Sequence, residues 1–170
     1  REGRLDCLIN NAAIVHTGWA RDLSLAQHRQ TMETNFFGAV IGMMTALPRM
    51  KAQGFGHLVT VSSMNGFIPY PGLASYAAAK HALRAFHAAV AIEERTSPVD
   101  FTLIYPTATE TPMLEKEAHD DALALAFSGT PVSAALVAGG IVDALATRPV
   151  ELFIPPERGE AVKKLGIDPA

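Results

Sequence analysis

The chain has 170 residues, enough for one domain with a buried core, and no repeat or low-complexity linker divides it. With 49% hydrophobic and 18% charged residues it is too apolar for a disordered chain, and 14 basic against 17 acidic side chains leave a net charge of −3 with no basic stripe for nucleic acid. No apolar run approaches the ~20 residues of a membrane-spanning helix, and the single cysteine, Cys7, excludes an internal disulfide and fits a reducing, cytoplasmic location.

The first apolar run, LDCLI at residues 5–9, reads as a parallel strand buried on both faces, with Cys7 as a small buried hydrophobe. Asn10 and Asn11 follow at its carboxyl end, where ligands bind in open α/β sheets, although the pair equally describes an Asn-rich turn. Residues 14–30 read as a loop and a short helix, with an N-cap in Asp22-Leu23-Ser24 and with His16 and Trp19 facing either substrate or solvent. A long helix is expected over residues 31–53 from the spacing of Met32, Phe36, Val40, Met43, Met44 and Leu47. Asn35 breaks that pattern, Pro48 should kink or tighten the helix, and Gly54 and Gly56 should close it.

HLVTVS at residues 57–62 is β-branched and reads as a second buried strand, ending in Ser62-Ser63. The loop to residue 73 is punctuated by Gly66, Pro69, Pro71 and Gly72 and is expected to wall a substrate site. The next helix, residues 73–95, carries two stripes. Tyr76, Lys80, Leu83 and His87 form one; Ala74, Ala78, Ala82, Ala85 and Ala89 form the other. DFTLIY at residues 100–105 is a third strand, stopped by Pro106. Residues 112–129 mix Met113, Leu114, Leu123, Leu125 and Phe127 with Glu115, Glu117, Asp120 and Asp121. A helix at residues 132–147 with Ser133 near its start, a strand at 151–154 and a short helix in the tail complete the chain. Strands alternating with helices define an α/β fold with a doubly wound parallel sheet, here as one domain over residues 1–170.

The chemistry concentrates in Ser75-Tyr76-Ala77-Ala78-Ala79-Lys80. On a helix, Tyr76 and Lys80 stand one turn apart on the same face. A phenol ionises near ~10 and is a poor proton carrier at neutral pH, but a fixed ammonium nearby favours the phenolate. By itself the spacing is equally that of a surface lysine lying over a tyrosine ring. Thirteen residues before Tyr76, Ser63 ends a strand-like run. The histidines, His16, His28, His57, His81, His87 and His119, form no metal-binding spacing, so no metal site is expected.

Asn10-Asn11-Ala12-Ala13, Asn35, Ser63, Tyr76-x-x-x-Lys80, Tyr105-Pro106-Thr107 and Thr111-Pro112 occur in an order and spacing that resembles the short-chain dehydrogenase/reductase family, in its single-domain branch. The resemblance covers roughly residues 4–155. It implies a Rossmann-like fold, of which this chain matches the C-terminal two-thirds: no T-G-x-x-x-G-x-G precedes Asn10, and the family's first β-α-β units have no counterpart. It also implies a cofactor, NAD or NADP, and an alcohol or ketone substrate. Tyr76 would be the proton carrier, Lys80 would lower the Tyr76 pKa and hold the nicotinamide ribose, Ser63 would position the substrate oxygen, and Asn35 would hold a proton-relay water. Asn10, Asn11, Pro106, Thr109 and Thr111 would line the cofactor. Thr107 stands where the family usually has glycine. The segment after Thr111 would be a mobile cover, and the two long helices would pack against a partner subunit, as a dimer or tetramer. Because the glycine-rich turn is missing, the competing expectation is a non-catalytic binding or scaffold chain whose first strand is an exposed edge.

Overall fold

The computed structural model describes residues 3–117, 123 and 130–167. The sequence expectations for His119, Asp120, Asp121, Leu125 and Phe127 lie outside the described residues. Four parallel strands form the main sheet in spatial order β1 (Cys7–Asn10), β2 (Gly56–Val61), β3 (Val99–Pro106) and β6 (Glu151–Ile154). Two short parallel strands, β4 (Thr109–Glu110) and β5 (Val132–Ser133), make a second small sheet. This is the expected Rossmann-like α/β arrangement, and the register places Asn10 beside Thr60, and Pro106 beside Ile154. The carboxyl ends of the strands therefore lie along one edge.

One face of the sheet is covered by α2 (Gly38–Gln53) and α3 (Ala74–Glu93), which pack Met43, Leu47, Met50, Leu83 and Val90 onto Leu58 and Phe101. The other face packs Val59, Ile104 and Ile154 against Val137 and Ala144 of α5 (Ala134–Thr147). Each β2 residue is buried because helices cover both of its faces, which is why its sequence is apolar without alternation. The helix α6 (Gly159–Ile167) lays Val162 on Met64, Phe67, Tyr105 and Phe153.

Three local expectations change. β1 is not buried on both faces: among the described residues it pairs only with β2, so Ile9 remains 41% exposed and Cys7 half-buried. The long helix starts earlier than residue 31. Ser24 forms a capping box with Gln27, and α1 (Leu25–Met32) runs through a π-helical turn (Glu33–Phe37) directly into α2. Pro48 lies inside α2, near its end as expected. Gly54 does cap α2, its N–H reaching the Met50 and Lys51 carbonyls, but Gly56 opens β2 instead. A Cβ there would sit 2.4 Å from the Met50 side chain, so the close approach of strand and helix needs glycine.

Candidate active site

The site is built where β2 ends and α3 begins. Ser63 leaves β2 in an extended conformation and caps a 3-10 turn (Met64–Gly66), its Oγ accepting the Asn65 N–H at 3.1 Å. That turn packs against α3. The stripe expected on α3 is the buried one: Tyr76, Lys80, Leu83 and His87 all face inward. Of the alanine stripe, Ala74, Ala78, Ala85 and Ala89 face outward, and Ala82 is half-buried.

Tyr76 is 9% exposed and lies in an apolar cluster with Leu73 and Leu123, flanked by Val15, Tyr70 and Met113. Lys80 is 2% exposed; its Nζ donates to the Val61 carbonyl at 3.0 Å and stands 5.6 Å from the centre of the Tyr76 ring. A surface lysine resting over a tyrosine is therefore excluded. Burial pushes the Lys80 pKa down to about 8. The expectation that Lys80 lowers the Tyr76 pKa does not hold in this arrangement. Burial first, and then the Glu117 carboxylate, push the phenol up to about 12, and hydrogen bonding with Ser63 draws it only partly back. The reason is desolvation: an apolar setting penalises phenolate more than the available donors favour it. Glu117, on α4 (Pro112–Glu117), is itself pushed up to about 7 by burial.

Asn35 sits in the π turn and is 1% exposed. Its Oδ1 accepts the Ile14 N–H and its Nδ2 donates to the Ile14 carbonyl, both at 2.8 Å. Both polar atoms of the side chain are thus engaged in holding the chain after β1, while the turn around Asn35 packs against α3. Asn10 is the last residue of β1, and its side chain lies against α2 at Gly42, where a Cβ would come 2.5 Å from Asn10 Oδ1. Its Nδ2 is buried with no protein partner among the described residues. Asn11 is exposed. His16 Nδ1 meets Thr31 Oγ1 at 3.1 Å, whereas Trp19 is about half exposed, with the Arg21 guanidinium over its ring.

Past Pro106, three threonines form a staircase. Thr109 Oγ1 donates to the Thr107 carbonyl at 2.8 Å, and Thr111 Oγ1 donates to the Thr109 carbonyl at 3.1 Å. Thr111 Oγ1 also accepts the Leu114 N–H at 3.4 Å, so this hydroxyl caps α4. The Thr107 side chain accepts a 2.6 Å hydrogen bond from Arg158, which turns it toward the end of β6. Sequence reasoning missed Arg158 and singled out no role for Glu117, because neither stands in a periodic pattern or a motif. Chain folding alone brings them near the site.

A family model described as short chain dehydrogenase matches residues 1–122. The chain belongs to the short chain dehydrogenase family. It is 38% identical over 109 residues to the dehydrogenase/reductase SDR family member 7B of Xenopus laevis, covering 64% of this chain and 34% of that protein. It is 30% identical over 148 residues to the 3-ketodihydrosphingosine reductase of Dictyostelium discoideum, covering 84% of this chain and 44% of that protein. A solved short-chain dehydrogenase from Streptomyces avermitilis has the same fold, with a TM-score of 0.82 at 24% identity over 99% of this chain and 67% of that one. This short chain dehydrogenase chain thus spans about a third of the length of relatives such as the Xenopus proteins.

The residues present fit the nicotinamide half of a dinucleotide of the kind the family uses. Lys80 holds a buried ammonium with one carbonyl acceptor and no carboxylate partner among the described residues, which leaves N–H groups for ribose hydroxyls. Nothing in the sequence matches the glycine-rich turn that receives a pyrophosphate.

Proposed function

We propose that this chain supplies the catalytic half of an NAD(P)-dependent oxidoreductase that interconverts an alcohol and a ketone. The observation that carries this reading is the buried pair Tyr76 and Lys80, with half-buried Ser63 hydrogen-bonded to the phenol, at the carboxyl edge of a parallel sheet. When bound, the nicotinamide supplies or accepts the hydride. Tyr76 donates a proton to the carbonyl oxygen in reduction and removes it from the hydroxyl in oxidation. Ser63 holds that oxygen by hydrogen bonding. Lys80 binds the nicotinamide ribose through the N–H groups that its bond to the Val61 carbonyl leaves over. Asn35 keeps the π turn in place through Ile14 and so supports a proton-relay water beside Lys80. Asn10, Asn11, Pro106, Thr109 and Thr111 line the cofactor side, with Thr107 turned away by Arg158.

The substrate has an apolar body, in keeping with Val15, Tyr70, Leu73, Met113 and Leu123 around the phenol. The enzyme acts as a homo-oligomer, in keeping with Phe37, Ile41 and Met44 exposed on the α2 side and the outward alanines of α3.

The test is fluorescence titration of NADH and NADPH, on this chain and on the chain joined to a glycine-rich β-α-β unit, followed by ketone reduction with and without Tyr76→Phe. Binding by the joined protein and turnover lost in the variant would support the reading. If neither protein bound either nucleotide, the oxidoreductase assignment would fall; if the variant reduced ketones at the original rate, Tyr76 would not be the proton carrier.

A further inference from the structure

Phe67 follows the short turn that Ser63 begins, and its ring is 8% exposed. The ring meets Tyr105 edge-on at a centroid distance of 4.9 Å, and Phe153 lies 5.5 Å away. Gly166 of α6 closes one side, where a Cβ would come 3.2 Å from the Phe67 carbonyl oxygen. The remaining cover is a cation. The half-buried Arg84 guanidinium sits 3.7 Å from the centre of the Phe67 ring. The same group lies beside the Tyr105 hydroxyl, which donates to Glu151 Oε1 at 2.7 Å. Among the described residues no carboxylate forms an ion pair with Arg84. Its planar head is therefore spent on the aromatic face.

Arg84 stands one helical turn beyond Lys80 and two beyond Tyr76, so all three share a side of α3. The turn that carries Ser63 is fastened to that side at both ends. Before it, Ser62 Oγ donates to the Lys80 carbonyl at 3.2 Å. In its middle Gly66 allows the close approach, since a Cβ there would come 3.1 Å from the Lys80 carbonyl oxygen. After it, the Phe67 ring lies against Arg84. Between these fastenings Ser63 Oγ accepts the Asn65 N–H and meets the Tyr76 phenol. One end is thus held by a single long hydrogen bond, and the other by the stacked guanidinium.

We propose that Arg84 is a positioning residue: by stacking on Phe67 it ties the turn after β2 to α3 and so holds Ser63 against the Tyr76 phenol. Losing the cation frees the face of the Phe67 ring and lets the turn shift about its Ser62 end, drawing Ser63 away. Tyr76 and Lys80 keep their places, because Leu83 and Val90 anchor α3 in the main core. The consequence for turnover rests on Ser63 holding the substrate oxygen, as proposed above; the contact between Ser63 and the phenol does not.

The experiment is carbon-13 NMR of this chain labelled at tyrosine Cζ, which needs neither cofactor nor substrate. Tyr70, Tyr76 and Tyr105 are the only tyrosines, and single replacements by phenylalanine assign their lines. Ser63→Ala sets how far the Tyr76 line moves when that hydrogen-bond partner is lost. Arg84→Met keeps the apolar stem and removes the cation; it should move the Tyr76 line in the same direction, roughly half as far or further. Made in the Ser63→Ala chain, it should leave the Tyr76 line in place, because Arg84 acts through Ser63. Phe67→Leu, which removes the other partner of the stack, should behave alike in both backgrounds. In the chain joined to a glycine-rich β-α-β unit, Arg84→Met should lower ketone turnover about tenfold at unchanged nucleotide affinity. Normal turnover with a displaced line would remove Ser63 from the reaction, and not Arg84 from its support. Three results would overturn the proposal: a Tyr76 line that neither Arg84→Met nor Phe67→Leu moves, a displacement that persists in full when Ser63 is already alanine, or no response of that line to Ser63→Ala.

Discussion

The wall formed by β2 and α3 stands on apolar packing, whereas the wall formed by the chain after β3 stands on directed polar ties. Tyr76 and Lys80 are set by a helix whose buried side, Leu83 and Val90, is locked into the main core. Thr107, Thr109 and Thr111 are set by hydroxyl and guanidinium hydrogen bonds, with the two-residue strands β4 and β5 adding little burial. Packing is non-directional and spread over many contacts, so it fixes a whole helix face at once. A polar tie fixes one atom pair and contributes about 1 kcal/mol net, so a wall made of such ties can shift without unfolding the domain. The groups proposed to carry the proton are thus on the rigid side and the threonine ties on the adjustable side.

Breaking the chemistry on the rigid wall should give the largest effect. Tyr76→Phe removes the proposed proton carrier without removing the ring, and steady-state kinetics of the chain joined to a glycine-rich β-α-β unit should lose on the order of 10²–10⁴-fold in turnover with an unchanged circular dichroism spectrum. Next, Leu83→Ala removes a fully buried side chain from the α3 anchor. Urea denaturation should register a loss of about 2–5 kcal/mol, and a value near zero would mean the helix is not held by this core.

The same wall contains His87, whose Nδ1 meets Thr60 Oγ1 at 3.0 Å and whose Nε2 has no partner among the described residues. Burial pushes its pKa down to about 4. The unfolded state therefore takes up the proton first, and this contribution to stability is complete above about 6.5 and is lost as pH falls toward 4, by about 3 kcal/mol over the window. Urea midpoints at neutral and mildly acid pH should diverge accordingly, and His87→Leu should flatten the dependence.

On the adjustable wall the effects should be smaller. Thr107→Val should cost about 1 kcal/mol and Thr107→Ser close to nothing by the same denaturation, because only the first removes the acceptor used by Arg158. The smallest change is Glu117→Gln. Ionised Glu117 raises the Tyr76 pKa, so the neutral amide should move Tyr76 ionisation to lower pH. The ascending limb of the pH–rate profile for alcohol oxidation, set by formation of the phenolate, would shift to lower pH; an unmoved limb would show that the carboxylate does not act on the phenol.

What could be read in the sequence follows the same division. The β2 strand, the α3 stripe and the β6 strand emerge from local periodicity, since each residue's environment there is set by neighbours one turn or one strand away. The early start of the first long helix was obscured because α1 is polar, with only Thr31 buried, so its capping box and not its apolar pattern marks the beginning. β1 reads as a two-sided core strand because LDCLI is apolar, yet its exposure depends on what lies beside it in the sheet, which no local pattern encodes.

The amino-acid sequence by itself determined the α/β order, the family, and the placing of Tyr76 and Lys80 one turn apart on the same helix face; that this face is buried came from the tertiary structure. The sequence did so because helical and strand periods and short motifs are properties of nearby residues. Only the tertiary structure decided that Asn35 spends its side chain on Ile14, that Thr111 caps α4, and that Arg158, 51 residues beyond Thr107, reaches back to hold it. It also decided the direction of the Tyr76 shift. An ionisation constant depends on the solvent excluded by every neighbouring element, and that quantity exists only once the chain has closed around the group.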